Sequence, residues 1–247
     1  MLQVLAKPLR MRRVEKSTAP GTACHSSHKE NKDSQVLGRI YRGKATTWNA
    51  SWSSGNCLFQ KWPQPRGLGA IAVSSNLWNS AKICGACISV TGPYGTHNGI
   101  ISDQCPSCDR DSLDLSSDLW KQVSNGQNPG ILLITWQVVP CNFSTPIKFI
   151  NKDGVSKYWN SIQVAGAEVP IRSLEVKPIT NTGSEIVNKS WIKLTKQSNS
   201  NHFQPESGKG LGTLADLKVT CDNGKKIITK NVRLDQPLNT TLAVGNC

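Results

Sequence analysis

The chain has 247 residues, of which 37% are apolar and 18% are charged, a composition typical of globular domains rather than disordered proteins. Its longest apolar run, "ILLITW" at 131–136, suits a buried strand and is far shorter than the roughly 18 residues that a membrane helix needs. We therefore expect a soluble protein with no membrane partner.

The net charge of +13 is distributed unevenly. Residues 1–44 contain ten Lys/Arg and three acids, so they carry +7 and leave +6 for the other 203 residues. A mildly basic folded part suits a polyanion such as pectin or a nucleic acid, but it suits an ordinary solvated surface equally well.

The predicted elements begin only after a polar segment. Residues 1–36 are basic and aperiodic and lack the 7–15-residue apolar core of a standard signal peptide, so we expect a tail or leader outside the fold. From residue 37 onward, short β-rich runs alternate with turn residues, and "GPYGTHNG" predicts a hairpin loop. One helix is predicted at 116–126, where Leu119, Trp120 and Val123 have helical spacing.

The second half of the chain shows strand patterns alone. A linker is predicted at 142–146, within the proline-containing "VVPCNFSTPIKF". The runs after it alternate polar and apolar residues, which indicates a small antiparallel sandwich. They are "YWNSIQVAG", "IRSLEVKPI", "SWIKLTK", "ADLKVTCD" and "KKIITKNVRL". The sequence thus predicts a cysteine-rich β-domain with one helix at 37–141 and a β-sandwich at 147–247.

Nine cysteines are more than an ordinary cytosolic enzyme carries, and they indicate a disulfide framework formed in an oxidising compartment. Cys24 is left over from the even-numbered groups. Four N-x-S/T sequons are little more than chance predicts, so they add little to the prediction of secretion. The cysteines are at 24, 57, 84, 87, 105, 108, 141, 221 and 247, and the sequons are at Asn49, Asn142, Asn188 and Asn239.

Two CxxC motifs, 84–87 and 105–108, are separated by seventeen residues, a spacing that a structural zinc site would also use. Against zinc, Cys57 and Cys141 bracket the same segment, and the second motif leads into a helix rather than a second hairpin. Disulfides are favoured, and a zinc-ribbon nucleic-acid-binding protein is the alternative. That alternative lacks a dense Lys/Arg stripe with interleaved aromatic residues.

Five aspartates follow one another between 103 and 118, and two of them differ from solvated turn charges. Asp103 ends the apolar run "GIISD", and Asp114 stands between Leu113 and Leu115, so its side chain should point away from a buried face. A carboxyl group beside apolar side chains can have a raised pKa, as the general acid of a glycosidase needs.

Glycoside hydrolysis normally needs a second carboxylate across the scissile bond. The candidate first strand, "KATTWNASW", contains Asn49 and no acid. The residues therefore suggest a sugar-binding cleft with half of the groups that a hydrolase needs. His97 is expected to be solvated, and the tryptophans at 48, 52, 62 and 78 suit either a groove or core packing.

The chain resembles the expansins and expansin-like proteins in a series of motifs that covers about residues 37–247. The motifs, in order, are "GKATTW", "CGAC", "SDQCPSC", "SLDLSSDLW", "ILLITWQVV", "KDGVSKYWNSIQVAG" and "NHF". The resemblance implies an all-β protein, with a six-stranded double-psi β-barrel followed by an immunoglobulin-like β-sandwich. It also implies a cell-wall loosening protein that disrupts noncovalent glucan contacts without hydrolysis.

Functional residues can be assigned from the resemblance one at a time. In the barrel, Asp114 matches the aspartate on which loosening depends, Asp103 the second barrel aspartate, and Thr46 the threonine of the first strand. A tyrosine that the family has two positions after the first aspartate is replaced here by Cys105, as in fungal-type relatives with a DxCxxC stretch.

In the sandwich, Tyr158 and Trp159 match adjacent aromatic residues of the cellulose-binding row, and Lys152 matches a binding lysine. Ser200 occupies the position of the third aromatic residue. Adjacent residues of a regular strand face opposite sides, so both rings can stack on a sugar only if the strand is interrupted.

The resemblance also implies four disulfides: Cys57–Cys84, Cys87–Cys141, Cys105–Cys108 and Cys221–Cys247. We expect a secreted monomer without metal or cofactor that binds cellulose and other plant-type glucans, with acidic wall polysaccharide as a further candidate ligand and no nucleic acid. The alternative on the same barrel is a weak endoglucanase or lytic glycosidase.

Overall fold

We describe the protein from a computed structural model, which covers residues 36–49, 51–179 and 190–247. Cys24 and the sequon at Asn188 lie outside the described residues. Among the residues described, no helix is long and apolar enough to cross a bilayer. Residues 35–247 form one compact unit that contains a closed barrel and two further sheets.

The first six strands close into a barrel in the order β1-β5-β2-β4-β3-β6. Two of its pairings, β1 with β5 and β2 with β4, are parallel, and the others are antiparallel. This is the double-psi barrel that the resemblance implied. Its strands are β1 (Ile40–Trp48), β2 (Gly69–Ser74), β3 (Cys87–Gly92), β4 (Gly95–Cys105), β5 (Leu113–Ser116) and β6 (Leu132–Val139).

The barrel carries two helices, α1 (Ser75–Trp78) and α2 (Ser117–Val123). The predicted helix is present but shorter than 116–126, and the single turn of α1 was not predicted. Helix α2 covers the barrel with its buried Leu119, Trp120 and Val123. It approaches so closely that a Cβ added to Gly69 would lie 2.5 Å from Leu119 Cβ.

The hairpin between β3 and β4 is tighter than the sequence predicted, because pairing continues to Gly92 and Gly95 and leaves a two-residue turn. His97 therefore lies in strand β4 rather than in a loop. The side chain is partly exposed, and its Nε2 atom is shielded from solvent and has no hydrogen-bond partner among the described residues, so the imidazole is only partly solvated.

The remaining strands form a four-stranded and a five-stranded sheet packed on a shared apolar core. The predicted strand "SWIKLTK" divides into two short pieces that pair with different sheets, and Leu194 between them is buried. The four-stranded sheet contains β9 (Ile171–Ile179), β10 (Ile192–Lys193), β13 (Leu214–Cys221) and β14 (Lys226–Arg233). The five-stranded sheet contains β7 (Lys148–Asn151), β8 (Ile162–Ala165), β11 (Thr195–Lys196), β12 (His202–Gln204) and β15 (Thr240–Leu242).

Buried contacts join the barrel to the five-stranded sheet. Ile150 and Ala165 of that sheet pack into the core of the barrel. Gln163 donates from Nε2 to the carbonyl of Cys57 at 2.8 Å, and Trp78 donates from Nε1 to the carbonyl of Ser198 at 2.8 Å. Such long-range contacts fix how the barrel and the sheet are oriented.

The eight described cysteines form four disulfides, with the pairings that the resemblance implied. Both CxxC motifs are therefore used: the first is tied to Cys57 and Cys141, and the second closes on itself. None of these cysteines remains as a thiolate that could bind zinc. The zinc-ribbon alternative is wrong for this chain.

Candidate functional site

A row of four residues crosses the barrel wall on strands β1, β5, β2 and β4. The strand register pairs Thr46 with Asp114, Asp114 with Ala72, and Ala72 with Asp103. Directly paired residues share a face of the sheet, and neighbouring strands are about 4.8 Å apart. The fold thus brings together the three barrel residues that the sequence singled out.

Asp114 is the central carboxylate of this row. Its neighbours Leu113 and Leu115 are fully buried in the barrel, so alternation turns the aspartate to the outer face, as predicted. Thr46 donates from Oγ1 to Asp114 Oδ1 at 2.7 Å. Partial burial raises the pKa of Asp114, and the hydrogen bond from Thr46 lowers it by less, so the pKa lies above that of an ordinary aspartate.

Replacing Thr46 with valine should raise the pKa of Asp114 further, because the hydroxyl that stabilises the charged form is lost while burial remains. A titration of the Asp114 carboxyl carbon by NMR measures this directly. Because the folded-state pKa is raised, stability should fall as the pH rises from the unfolded-state pKa through the folded-state pKa, and more steeply in the variant. A lower pKa in Thr46→Val would contradict the assignment of the hydrogen bond.

Asp103 has a different environment. Its Oδ1 atom accepts hydrogen bonds from the backbone N–H groups of Asn56 at 2.8 Å and Gln104 at 2.7 Å. Gly55 packs against it so closely that an added Cβ would lie 3.0 Å from Asp103 Cβ and 2.5 Å from a backbone oxygen. Asp103 therefore anchors the loop before β2 to the barrel, a role that the sequence did not indicate.

A hydrolytic mechanism would have to use Asp103 as the second carboxylate of this row. The register places it two strands from Asp114, so the two Cα atoms are about 9.5 Å apart. Between them the row offers only the methyl group of Ala72. One oxygen of Asp103 already holds two backbone donors, which disfavours its use as a free acid or base.

The aromatic residues of the sandwich lie on a tight turn rather than on a strand. Ser156 and Trp159 exchange backbone hydrogen bonds of 2.8 and 3.3 Å, so Lys157 and Tyr158 form the corner between them. Tyr158 is 74% exposed, and Trp159 is partly buried. Because strand alternation does not apply to a turn, it does not force the two rings to opposite faces.

Two features hold this turn in place. The buried side chain of Asn160 donates to the carbonyls of Ser156 at 2.9 Å and Leu234 at 3.0 Å and accepts from the N–H of Leu211 at 2.6 Å. Gly210 lies directly against the turn, since an added Cβ would be 2.4 Å from Tyr158 Cα. Neither residue could be assigned from the sequence, because both act across about 50 positions of chain.

Gly210→Ala should therefore displace Tyr158 and weaken cellulose binding, as removal of the ring in Tyr158→Ala would. Loss of one stacked ring should weaken binding by about tenfold, from the apolar area that the sugar no longer covers. Depletion of protein onto microcrystalline cellulose measures it. Gly245→Ala is the matched control, because an added Cβ there would meet nothing within 4 Å. Equal binding by the two glycine variants would contradict the role of Gly210.

Several residues that the sequence left open have structural roles. Trp62 and Trp78 are buried, and Trp62 packs edge-on against Phe59 and Phe143 at 4.9 and 5.9 Å between ring centroids. Ser200, at the position of the third aromatic residue, is buried too. Lys152 is partly buried beside strand β7.

Comparisons with known proteins agree with this architecture. No family model matches the chain. It is 30% identical over 174 residues to an expansin-like protein of Dictyostelium discoideum, a match that covers 66% of this chain and 58% of that protein. It is 26% identical over 190 residues to an expansin of Bacillus subtilis, with 76% of each chain covered. The chain spans less than two thirds of the first of these relatives.

Solved structures give the same result. The crystal structure of an apo expansin of Clavibacter michiganensis matches with a TM-score of 0.70 and 25% identity, over 84% of this chain and 98% of that one. A mutant of that expansin, solved in complex with cellohexaose, matches with a TM-score of 0.69 and 24% identity, over 84% of this chain and 98% of that one. With both halves of the fold matched in one chain, this protein is similar in sequence and in fold to the expansins and expansin-like proteins.

Proposed function

We propose that this protein loosens plant-type cell walls by binding glucan chains and disrupting their noncovalent contacts, without hydrolysing them. The observation that carries the proposal is the row of residues on the barrel. In it, Asp114 accepts a hydrogen bond from Thr46, and the residues paired with Asp114 on the two neighbouring strands, Thr46 and Ala72, carry no carboxylate. Such a site can accept a hydrogen bond from a sugar hydroxyl or donate one to it, but it lacks the paired acid and base of a glycosidase.

Cellulose-type glucans are the proposed ligand. A relative's structure was solved with cellohexaose, and this chain presents an exposed ring at Tyr158 with the partly buried Trp159 beside it. Aromatic rings stack on the apolar faces of sugars, and Lys157, whose Nζ lies 4.9 Å from the Tyr158 ring centroid, can donate to a sugar hydroxyl next to the ring. We assign Lys152 to glucan binding on the resemblance alone.

We further propose that the protein acts as a monomer outside the cell. Four disulfides in the described residues need an oxidising compartment to form and persist. Of the sequons, Asn49 and Asn142 are exposed, so both would be open to glycosylation there.

The test combines three measurements on the purified protein: creep of heat-inactivated plant walls under constant load, release of soluble reducing ends, and depletion onto cellulose. The proposal expects creep and cellulose binding without release of reducing ends. Release at an enzymatic rate would favour the endoglucanase alternative, with Asp103 as the second carboxylate. Binding without creep would reduce the protein to a carbohydrate-binding module.

A further inference from the structure

A concave surface lies on the barrel, along the strand that carries Thr46. It is a cavity of about 700 Å³ between β1, β6, the β3–β4 turn and the loop before β5. This volume is within the usual range for small-ligand sites. None of the residues assigned to glucan binding lines it.

The rim of this cavity is basic. Arg42 and Lys44 project from the outer face of β1, and Arg110 comes from the loop before β5, whereas Asp109 is the one acid in the lining. Lys44 and Asp109 form an ion pair of 2.8 Å, but both side chains are about half exposed or more, so water screens the pair and a ligand can displace it. Arg110 Nε lies 3.8 Å from Asp111 Oδ2, just outside the lining, so the three cations of the rim outnumber the two carboxylates beside them.

The spacing of the cations favours a ligand with repeated charges. Arg42 and Lys44 are two residues apart on a regular strand, which places their Cα atoms about 6.8 Å apart along its axis. A single small anion would be held at one point, whereas this row can meet carboxylates on separate sugars of one chain.

The wall of the cavity is apolar. Leu133 is 76% exposed although it lies in a barrel strand, and Ile134 and Pro93 stand beside it. An isolated exposed leucine needs no explanation, but one that faces a basic rim offers a surface for the C–H face of a sugar ring. Cationic donors and an apolar wall together suit a sugar that carries a carboxylate.

We propose that this cavity binds uronic-acid residues of an acidic polysaccharide. Arg42 and Arg110 pair with the carboxylates of the ligand. Lys44 releases Asp109 and pairs with a ligand carboxylate instead, and Leu133 contacts the sugar ring. The inference rests on the proposed function in one respect: the cavity continues the outer face of β1 that carries Thr46, so a polysaccharide is the polymer already placed on this side of the barrel.

The experiment is calorimetric titration of the full chain with a hexamer of galacturonic acid and with its fully methyl-esterified form. The wild type should bind the acidic hexamer and lose at least about tenfold in affinity for the ester, because esterification removes the charges and keeps the sugar. Arg42→Gln/Arg110→Gln should lose about as much for the acidic hexamer. Lys226→Gln/Lys230→Gln, which removes two exposed cations from β14, is the control for net charge and should bind like the wild type.

Three results would overturn the proposal. The first is equal affinity for the acidic hexamer and its ester, and the second is an equal loss of affinity in the two double variants. The third is that a single-stranded oligonucleotide binds more tightly than the acidic hexamer and that the arginine double variant loses this binding too. Leu133→Ser should weaken the acidic hexamer without changing its dependence on salt, which separates ring contact from charge. Creep and cellulose depletion are measured beside these titrations, so failure of the wall-loosening proposal is seen independently of this site.

Discussion

Asp114→Asn should strongly reduce wall creep while leaving cellulose binding unchanged. The substitution keeps the size of the side chain and its contact with Thr46 but removes the group whose protonation state can change. Asp114 lies on the barrel, whereas Tyr158 and Trp159 lie on the sandwich, so the two readouts depend on different surfaces. We expect creep to fall by at least about tenfold, because the variant loses one charge-assisted hydrogen bond between the carboxylate and the glucan.

Asp118→Asn is the matched control. Asp118 is an exposed carboxylate in the first turn of α2, four residues from Asp114, and it lies outside the row. It should retain the creep of the wild type. If Asp114→Asn extends walls normally, Asp114 has no part in loosening. If both variants lose cellulose binding as well, the loss reflects misfolding rather than the site.

The position of Asp114 could be predicted from the sequence because it follows from a local rule. Two buried leucines flank it, and strand alternation then places the carboxyl on the other face. Its bond to Thr46 depends on the pairing of β1 with β5, which are 68 residues apart in sequence. Only the resemblance to a family indicated that the two residues belong to one site.

The role of Asp103 could not be predicted in the same way. The sequence placed Asp103 at the end of an apolar run, whereas the structure has it inside β4, two residues before that strand ends at Cys105. Its contacts with the N–H groups of Asn56 and Gln104 depend on the path of an irregular loop. Loop paths are set by tertiary packing rather than by a short periodic pattern.

The turn at Tyr158 shows a further limit. Alternating residues in "YWNSIQVAG" predicted one strand, but pairing begins only at Ile162. The cause is Asn160, whose buried amide bonds to three backbone carbonyls and thereby keeps residues 156–159 in a turn. A buried asparagine that meets its hydrogen-bonding needs through distant backbone groups leaves no mark in the local pattern.

Two of the three disulfides that contain a CxxC cysteine should rank in opposite order in their effects on stability and on activity. Cys87–Cys141 joins residues 54 apart, and Cys105–Cys108 joins residues 3 apart. A disulfide lowers the conformational entropy of the unfolded chain, and more so when it closes a longer loop. Removing the first bridge should therefore lower the free energy of unfolding by about 4 kcal/mol, and removing the second by about 2 kcal/mol. Denaturant unfolding of the two double-alanine variants, followed by tryptophan fluorescence, measures the difference.

Activity should rank the same variants in the reverse order, at temperatures where both are folded. The Cys105–Cys108 loop begins two residues after Asp103 and leads into Asp109 and Asp111, which bond to Lys44 and Asn76 beside the row. Freeing it should loosen the approach to Asp114, whereas Cys87–Cys141 fixes β3 to the segment after β6, away from that row. If the variant that is less stable also shows less creep, the Cys105–Cys108 loop stabilises the fold and does not position the approach to Asp114.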